Sequence, residues 1–252
     1  MHRTGVRRGS GVTIGGRGSA ATRACVGAFA LVASCVFNTG CATTATSPMT
    51  RETQQAMTPG DALDRLRAGN DRFARGASIA RDYPAEVRET STGQYPYAVV
   101  LSCIDSRTAP EILFDEGIGD IFVPRVAGNY APIDVVGSME FATRLAGAKL
   151  VVVLGHSECG AVKGACDGAQ LGNLTTVLNA IQPAVAEVTY VDGPRTSKNP
   201  TFVQAVAKQN VRRTVEVIRA ESPVMRELEN QGQIRIVGAM YDVATGRVEF
   251  LD

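Results

Sequence analysis

The sequence predicts an α/β fold: a mostly parallel central β-sheet with an antiparallel edge strand, flanked by helices on both faces. Three observations carry that expectation. Short apolar runs rich in β-branched residues, at 97–101 and 149–154, alternate with longer stretches of helical periodicity, and strands that alternate with helices form parallel sheets covered on both sides. Both runs stop abruptly in polar side chains, as strands do whose carboxyl ends carry a site. A third apolar run, 234–241, is followed through Thr245-Gly246 by 247–251, the spacing of a hairpin that adds one antiparallel strand.

Taken in order, the body of the chain starts at Thr58, placed to cap a helix whose first residue is Pro59. Leu63, Leu66 and Phe73 supply its apolar stripe and Gly76 ends it. A polar loop then crosses to Pro96 and the first strand. Pro110 starts a short helix over 111–115, and 120–126 reads as a second strand followed by Gly128-Asn129. Residues 133–146 are helical, with Val136, Met139 and Leu145 among them, and the 149–154 strand leads into a helix from Cys159. Gly160 and Gly164 let that helix be approached closely. The stretch 174–188 reads as a helix bent or broken at Pro183. Asp192-Gly193-Pro194 breaks the chain, 200–219 is helical, and 223–229 is a further helix or its continuation. No internal repeat or linker interrupts 58–252, which is expected to be one catalytic domain. The preceding 42–57, rich in Thr, Ser and Ala, reads as a flexible tether.

Residues 1–41 read as an export signal rather than as fold. Five arginines (3, 7, 8, 17 and 23) and no acidic residue lie in the first 40, ahead of and leading into an apolar run at 24–37 that is short for a membrane span. Cleavage before Cys41, preceded by Gly40, would make a bacterial lipoprotein with Cys41 as lipid acceptor; cleavage after Ala45 would release a soluble protein. Arg7-Arg8 hints at a twin-arginine signal, without its usual flanking residues. Either cleavage places the protein outside the inner membrane, in the periplasm or lipid-anchored to a bacterial membrane. The whole chain of 252 residues has a formal net charge of +1, but without the first 40 residues 21 basic residues face 25 acidic ones, a balance of −4. That leaves no basic footprint for a nucleic acid.

The chemistry sits at the two strand ends. After the first strand come Cys103, Asp105 and Arg107, and side chains two apart on extended chain point the same way, so the three are expected to converge. After the 149–154 strand come His156 and Cys159. Cys, Asp, His and Cys are all groups that zinc accepts, and zinc prefers four. In an exported chain a Cys103–Cys159 disulfide is the alternative, but it would leave Asp105, Arg107 and His156 unexplained. With His2 in the signal, His156 is the one histidine of the mature chain. Cys166, seven residues after Cys159, reads as a small buried hydrophobe.

At Cys103-x-Asp105-x-Arg107 and His156-x-x-Cys159 the chain resembles the β-class carbonic anhydrases, from about Thr58 to the C-terminus. The resemblance implies one zinc ion per subunit, with Cys103, His156 and Cys159 as permanent ligands. Asp105 would be an exchangeable ligand that swings away to pair with Arg107. It implies reversible hydration of carbon dioxide to bicarbonate and a proton by a zinc-bound hydroxide. Zinc lowers the pKa of bound water from about 15.7 to about 7, a magnitude for which carbonic anhydrase is itself the standard case. It further implies a pocket in which Gln94 donates a hydrogen bond to substrate and Phe122, Ala127 and Phe141 form the walls. Ala127 stands where relatives often have Val, and Phe141 where some have Tyr. The assembly it implies is a homodimer or a larger homo-oligomer with the site near the subunit interface. Some members hold inhibitory bicarbonate at a site that uses a Trp, and this sequence has none. Two other functions fit the same ligands. One is hydrolysis of carbon disulfide or carbonyl sulfide on this scaffold. The other is a non-catalytic, exported zinc-binding protein, against which an Arg beside an exchangeable ligand argues.

Overall fold

The computed structural model of the chain describes Gly15 and residues 48–251. Apart from Gly15, the expected export signal falls outside the described residues, as do Cys41 and the first part of the expected tether. Five strands, β1 (Ala98–Leu101), β2 (Ile121–Phe122), β3 (Leu150–His156), β4 (Arg235–Tyr241) and β5 (Val248–Leu251), form one sheet in the order β2-β1-β3-β4-β5. The first four run parallel and β5 pairs antiparallel with β4, so the fold class is the one expected. Alternation along β3 shows why both faces must be covered. Val151 and Val153 enter one apolar cluster with Phe202, Val206, Val211 and Ile218, while Leu150, Val152 and Leu154 enter another with Leu63, Leu66 and Phe114.

The second cluster is covered by α2 (Pro59–Ala74) and α4 (Pro110–Leu113). Thr58 caps α2 as expected, accepting from the Asp61 N–H at 3.1 Å while Asp61 Oδ2 accepts from the Thr58 N–H at 2.9 Å. The first cluster is covered by α5 (Ile133–Glu140), α6 (Gly160–Cys166), α7 (Leu174–Glu187), α8 (Pro200–Glu221) and α9 (Pro223–Asn230). Ser222 separates α8 from α9 and caps the latter, its hydroxyl oxygen accepting from the Met225 N–H at 3.0 Å. Asn70 on α2 ties down the β4–β5 hairpin through bonds to the carbonyls of Leu113 and Gly246 and from the Val248 N–H.

Several elements differ from the sequence reading, each for a local reason. The expected tether is ordered over its last part: α1 (Arg51–Ala56) docks through buried Gln54, whose amide donates to the carbonyls of Pro96 and Ala146 at 2.7 and 2.8 Å. The Met49 N–H donates to Asp120 at 3.0 Å. The polar loop before β1 contains α3 (Tyr83–Thr90), whose cap Asp82 accepts from the Ala85 N–H. The second strand is only two residues long, because Pro124 has no N–H for the ladder; pairing resumes as a bridge between Ser102 and Arg125. The helix over 133–146 changes to a π-helical turn, Phe141–Leu145, where the Thr143 hydroxyl donates back to the Met139 carbonyl. Pro183 does not break α7, since it and Asn179, whose carbonyl loses its partner, both lie on the exposed face.

Gly155, one residue before the end of β3, lets α8 lie close against the strand. A Cβ there would fall 2.5 Å from Val211 Cγ2 and 2.8 Å from Met240 Sδ. Gly155→Ala is expected to cost about 1–3 kcal/mol by overpacking and to lower the midpoint of thermal unfolding by roughly 2–4 °C per kcal/mol. An unchanged melting curve would contradict this account of how α8 holds the strand end.

Candidate metal centre

Parallel pairing of β1 with β3 sets Leu101 opposite Val153. Two residues beyond Leu101 stands Cys103; three beyond Val153 stands His156, the last residue of β3. A tight turn through Glu158, in the left-handed region at φ +60°, then delivers Cys159 as the residue preceding α6. The ligand atoms of Cys103, His156 and Cys159 lie within 4.8 Å of one another, and all three residues are buried. Both thiols are free.

The donor set fits a zinc ion on an observation internal to the site. His156 Nδ1 donates to the Ser157 carbonyl at 2.8 Å, which leaves Nε2 with its lone pair, buried and without a hydrogen-bond partner. A buried nitrogen left this way is what a metal ligand looks like when its other ring nitrogen is oriented by a backbone carbonyl. The two thiols share charge. The hydrogen bond from Cys159 lowers the Cys103 pKa to about 4, with help from His156 and the Gly128 N–H. The same contact, together with burial, pushes Cys159 up. A cation bound between them would favour the thiolate form of both, the form that ligates a metal.

Asp105 and Arg107 do not reach the centre along an extended strand, as the sequence reading had it. Residues 103–108 form a turn, in which the Arg107 N–H donates to Asp105 Oδ1 at 3.0 Å. Arg107 then returns its guanidinium, Nε to Oδ1 at 2.9 Å and Nη2 to Oδ2 at 2.7 Å. Both carboxylate oxygens are thus committed to Arg107, and Asp105 is not among the clustered ligand atoms. Arg107 Nη2 also reaches the Glu158 carbonyl at 3.4 Å, joining the two ligand-bearing turns. The hydrogen bond from Arg107 holds the Asp105 carboxyl well below the usual carboxylate range. A depressed folded-state pKa means that the pair steadies the folded chain above an unfolded value of about 3.9, and that this contribution is lost as pH falls through the lower folded value.

The expected pocket residues are only partly assembled. Phe122 and Phe141 meet edge to face with ring centroids 6.1 Å apart, Phe141 standing where α5 passes into the π-helical turn. They line an open groove of about 680 Å3 with Val99, Pro124, Gly137 and Ser138. Ala127 is half-buried and precedes Gly128, whose N–H donates to Cys103 Sγ at 3.4 Å. Gln94 is exposed and precedes the amino end of β1, whereas the ligands stand at the carboxyl ends, so a single chain does not bring it to the centre. Sequence reasoning missed Arg125 and Thr108, which hold the turn of Asp105. The position of Arg125 one residue past Pro124, in what resembled a plain strand, gave no sign of this.

The sequence model of the family described as Carbonic anhydrase matches residues 98–248. "Carbonic anhydrase 2" of Mycobacterium tuberculosis is 35% identical over 190 residues, covering 74% of this chain and 90% of that protein. A carbonic anhydrase of Mycolicibacterium smegmatis is 37% identical over 185 residues, covering 73% and 89%. Among solved structures, a β-carbonic anhydrase of Aspergillus fumigatus superposes with a TM-score of 0.60 at 26% identity, covering 76% of this chain and 91% of that one. One of two tetrameric β-carbonic anhydrases of Sordaria macrospora superposes with a TM-score of 0.58 at 25% identity, covering 75% and 94%.

Purified protein is expected to carry about one zinc per chain, and Cys159→Ser to lose most of it, as read by elemental analysis after gel filtration. A variant that is folded and keeps its full zinc content would show that the ligand set is wrong.

Proposed function

The chain belongs to the β-class carbonic anhydrase family, and from that premise we propose that its Cys103, His156, Cys159 centre hydrates carbon dioxide to bicarbonate and a proton, with Asp105 and Arg107 as the working pair. The observation that carries the proposal is the two-pronged hold of Arg107 on Asp105 beside the ligand cluster. Three protein ligands and an unfilled fourth position are the mark of a catalytic zinc site, whereas a structural one is closed by a fourth protein ligand. Zinc bound there supplies a hydroxide nucleophile at neutral pH.

The chain's own residues do the rest. Arg107 keeps Asp105 ionised and turned aside, so that its carboxylate acts only as a hydrogen-bond acceptor. In that state its carboxylate would be available to accept a hydrogen bond from a nucleophile held at the Cys103, His156, Cys159 centre and so to orient it. His156 is held in one tautomer by Ser157 and presents one nitrogen. The apolar groove edged by Phe122 and Phe141 suits a linear, nonpolar substrate better than its charged product.

Two further parts of the proposal concern the whole molecule. The first is assembly as a homodimer or larger oligomer. In its support, Gln94 lies away from the centre of its own chain, and Ile133, Phe141 and Leu145, on the helical stretch that includes groove residue Phe141, are 70%, 52% and 76% exposed. The second is export, either to the periplasm or with a lipid anchor at Cys41, supported by the basic and apolar pattern of residues 1–41. No helix among the described residues is long and apolar enough to cross a membrane. Sedimentation of the purified body should give at least a dimer. Labelled palmitate should enter the full chain but not Cys41→Ser; a monomer would remove the first part, and equal labelling of both the lipid anchor.

Arg107→Ala frees Asp105 from its holder and is expected to lower kcat for carbon dioxide hydration by about tenfold or more at neutral pH, measured by stopped flow on zinc-matched protein. Wild-type turnover in that variant would refute the role given to the pair.

A further inference from the structure

The turn that carries Asp105 is buried at its ends, Cys103 and Thr108, and largely open to solvent between them. Ile104 is 61% exposed and Arg107 is exposed as well, so the turn depends on hydrogen bonds to its backbone. Those bonds come from two sides. From inside, buried Thr108 places its hydroxyl 3.2 Å from the Cys103 carbonyl and 2.9 Å from the Asp105 carbonyl, and its N–H donates to Asp105 O at 3.0 Å. From outside, Arg125 donates from Nε to the Cys103 carbonyl at 2.8 Å and from Nη2 to the Asp105 carbonyl at 2.7 Å.

Arg125 is itself well founded. Its backbone forms the parallel bridge with Ser102. The Ser102 N–H donates to Pro124 O at 3.0 Å and the Val126 N–H to Ser102 O at 3.1 Å. The side chain thus reaches from the continuation of β2 across the end of β1, and one planar fork spans two carbonyls that flank a single residue. A guanidinium suits this better than an ammonium, because two of its donors are fixed in a plane and point the same way.

We propose that Arg125 is a positioning residue of the centre. By fixing the carbonyls of Cys103 and Asp105 it holds the turn still, so that the movement left to Asp105 is rotation of its side chain between Arg107 and the ligand cluster. Arg107 governs the carboxylate and Arg125 governs the backbone from which the carboxylate hangs. The catalytic part of this inference rests on the carbonic anhydrase reading; the mechanical part does not.

The test uses the zinc-loaded protein with Arg125→Ala and Arg125→Lys, and two readouts. Hydrogen exchange followed by mass spectrometry should show faster exchange in the peptide covering 103–108 of both variants, with other core peptides unchanged. Stopped-flow hydration should show kcat lower by about tenfold for Arg125→Ala with KM within about twofold, and an intermediate loss for Arg125→Lys. Free guanidinium at non-denaturing concentration should recover part of the kcat of Arg125→Ala and none in the parent. The lysine variant alone decides the matter if the alanine variant does not fold. Unchanged exchange at 103–108, or wild-type kcat in the folded variants, overturns the proposal. So does a loss of kcat that follows zinc content alone and that guanidinium leaves as it was. Absence of hydration in the parent, with exchange altered as expected, would instead count against the proposed reaction.

Discussion

The parallel register between β1 and β3 is the constraint on which the centre depends. It fixes Leu101 beside Val153 and so decides that the thiol following one strand and the imidazole ending the other arrive together. A slip of one residue would turn each strand's inward set outward. Close packing on both faces opposes that slip, because β3 fits side chains of different size into the apolar clusters on either side of the sheet. The precision of the metal ligands therefore comes from the apolar residues behind them. Gly155 adds to this by admitting α8 to the back of the strand just where His156 begins.

Above that floor, the turn that carries Asp105 is supported by two arginines with different tasks. Arg107 holds the carboxylate of Asp105 and reaches the carbonyl of Glu158, so it spans both ligand-bearing turns. Arg125 grips the main chain beneath. The backbone of Glu158 is held in the left-handed region, which is unfavourable for a residue with a Cβ. Its carbonyl is thereby one of the acceptors that Arg107 finds. A site assembled this way holds its thiol and imidazole ligands in place and commits the neighbouring carboxylate to an arginine.

Much of this was legible in the sequence because it depends on local pattern. Cys103, His156 and Cys159 stood out as zinc-type side chains at strand ends, and the Thr58-Pro59 start of α2 is a local signal that the structure reproduces. The hairpin of β4 and β5 likewise follows from Thr245-Gly246. What was not legible depends on contacts between distant residues. Gln54 orders α1 by bonding to Pro96 and Ala146, residues about forty and ninety positions away. Nothing in the composition of 42–57 announces that partnership. The Asp82 cap and Pro84 of α3 were a readable signal passed over in favour of a polar loop. At 103–108 alternate polar residues look alike in a turn and in extended chain, and only the Asp105 side chain accepting from the Arg107 N–H distinguishes them.

The central claim is that Asp105 belongs to Arg107 and leaves the metal with three protein ligands. X-ray absorption at the zinc edge tests it most directly, on purified protein and on Asp105→Ala at neutral to mildly alkaline pH. The account predicts two sulfur atoms at about 2.3 Å, one imidazole nitrogen and one further light atom at about 2.0–2.1 Å, with the same first shell in both proteins. A first shell that changes when Asp105 is removed would place its carboxylate on the metal and contradict the account.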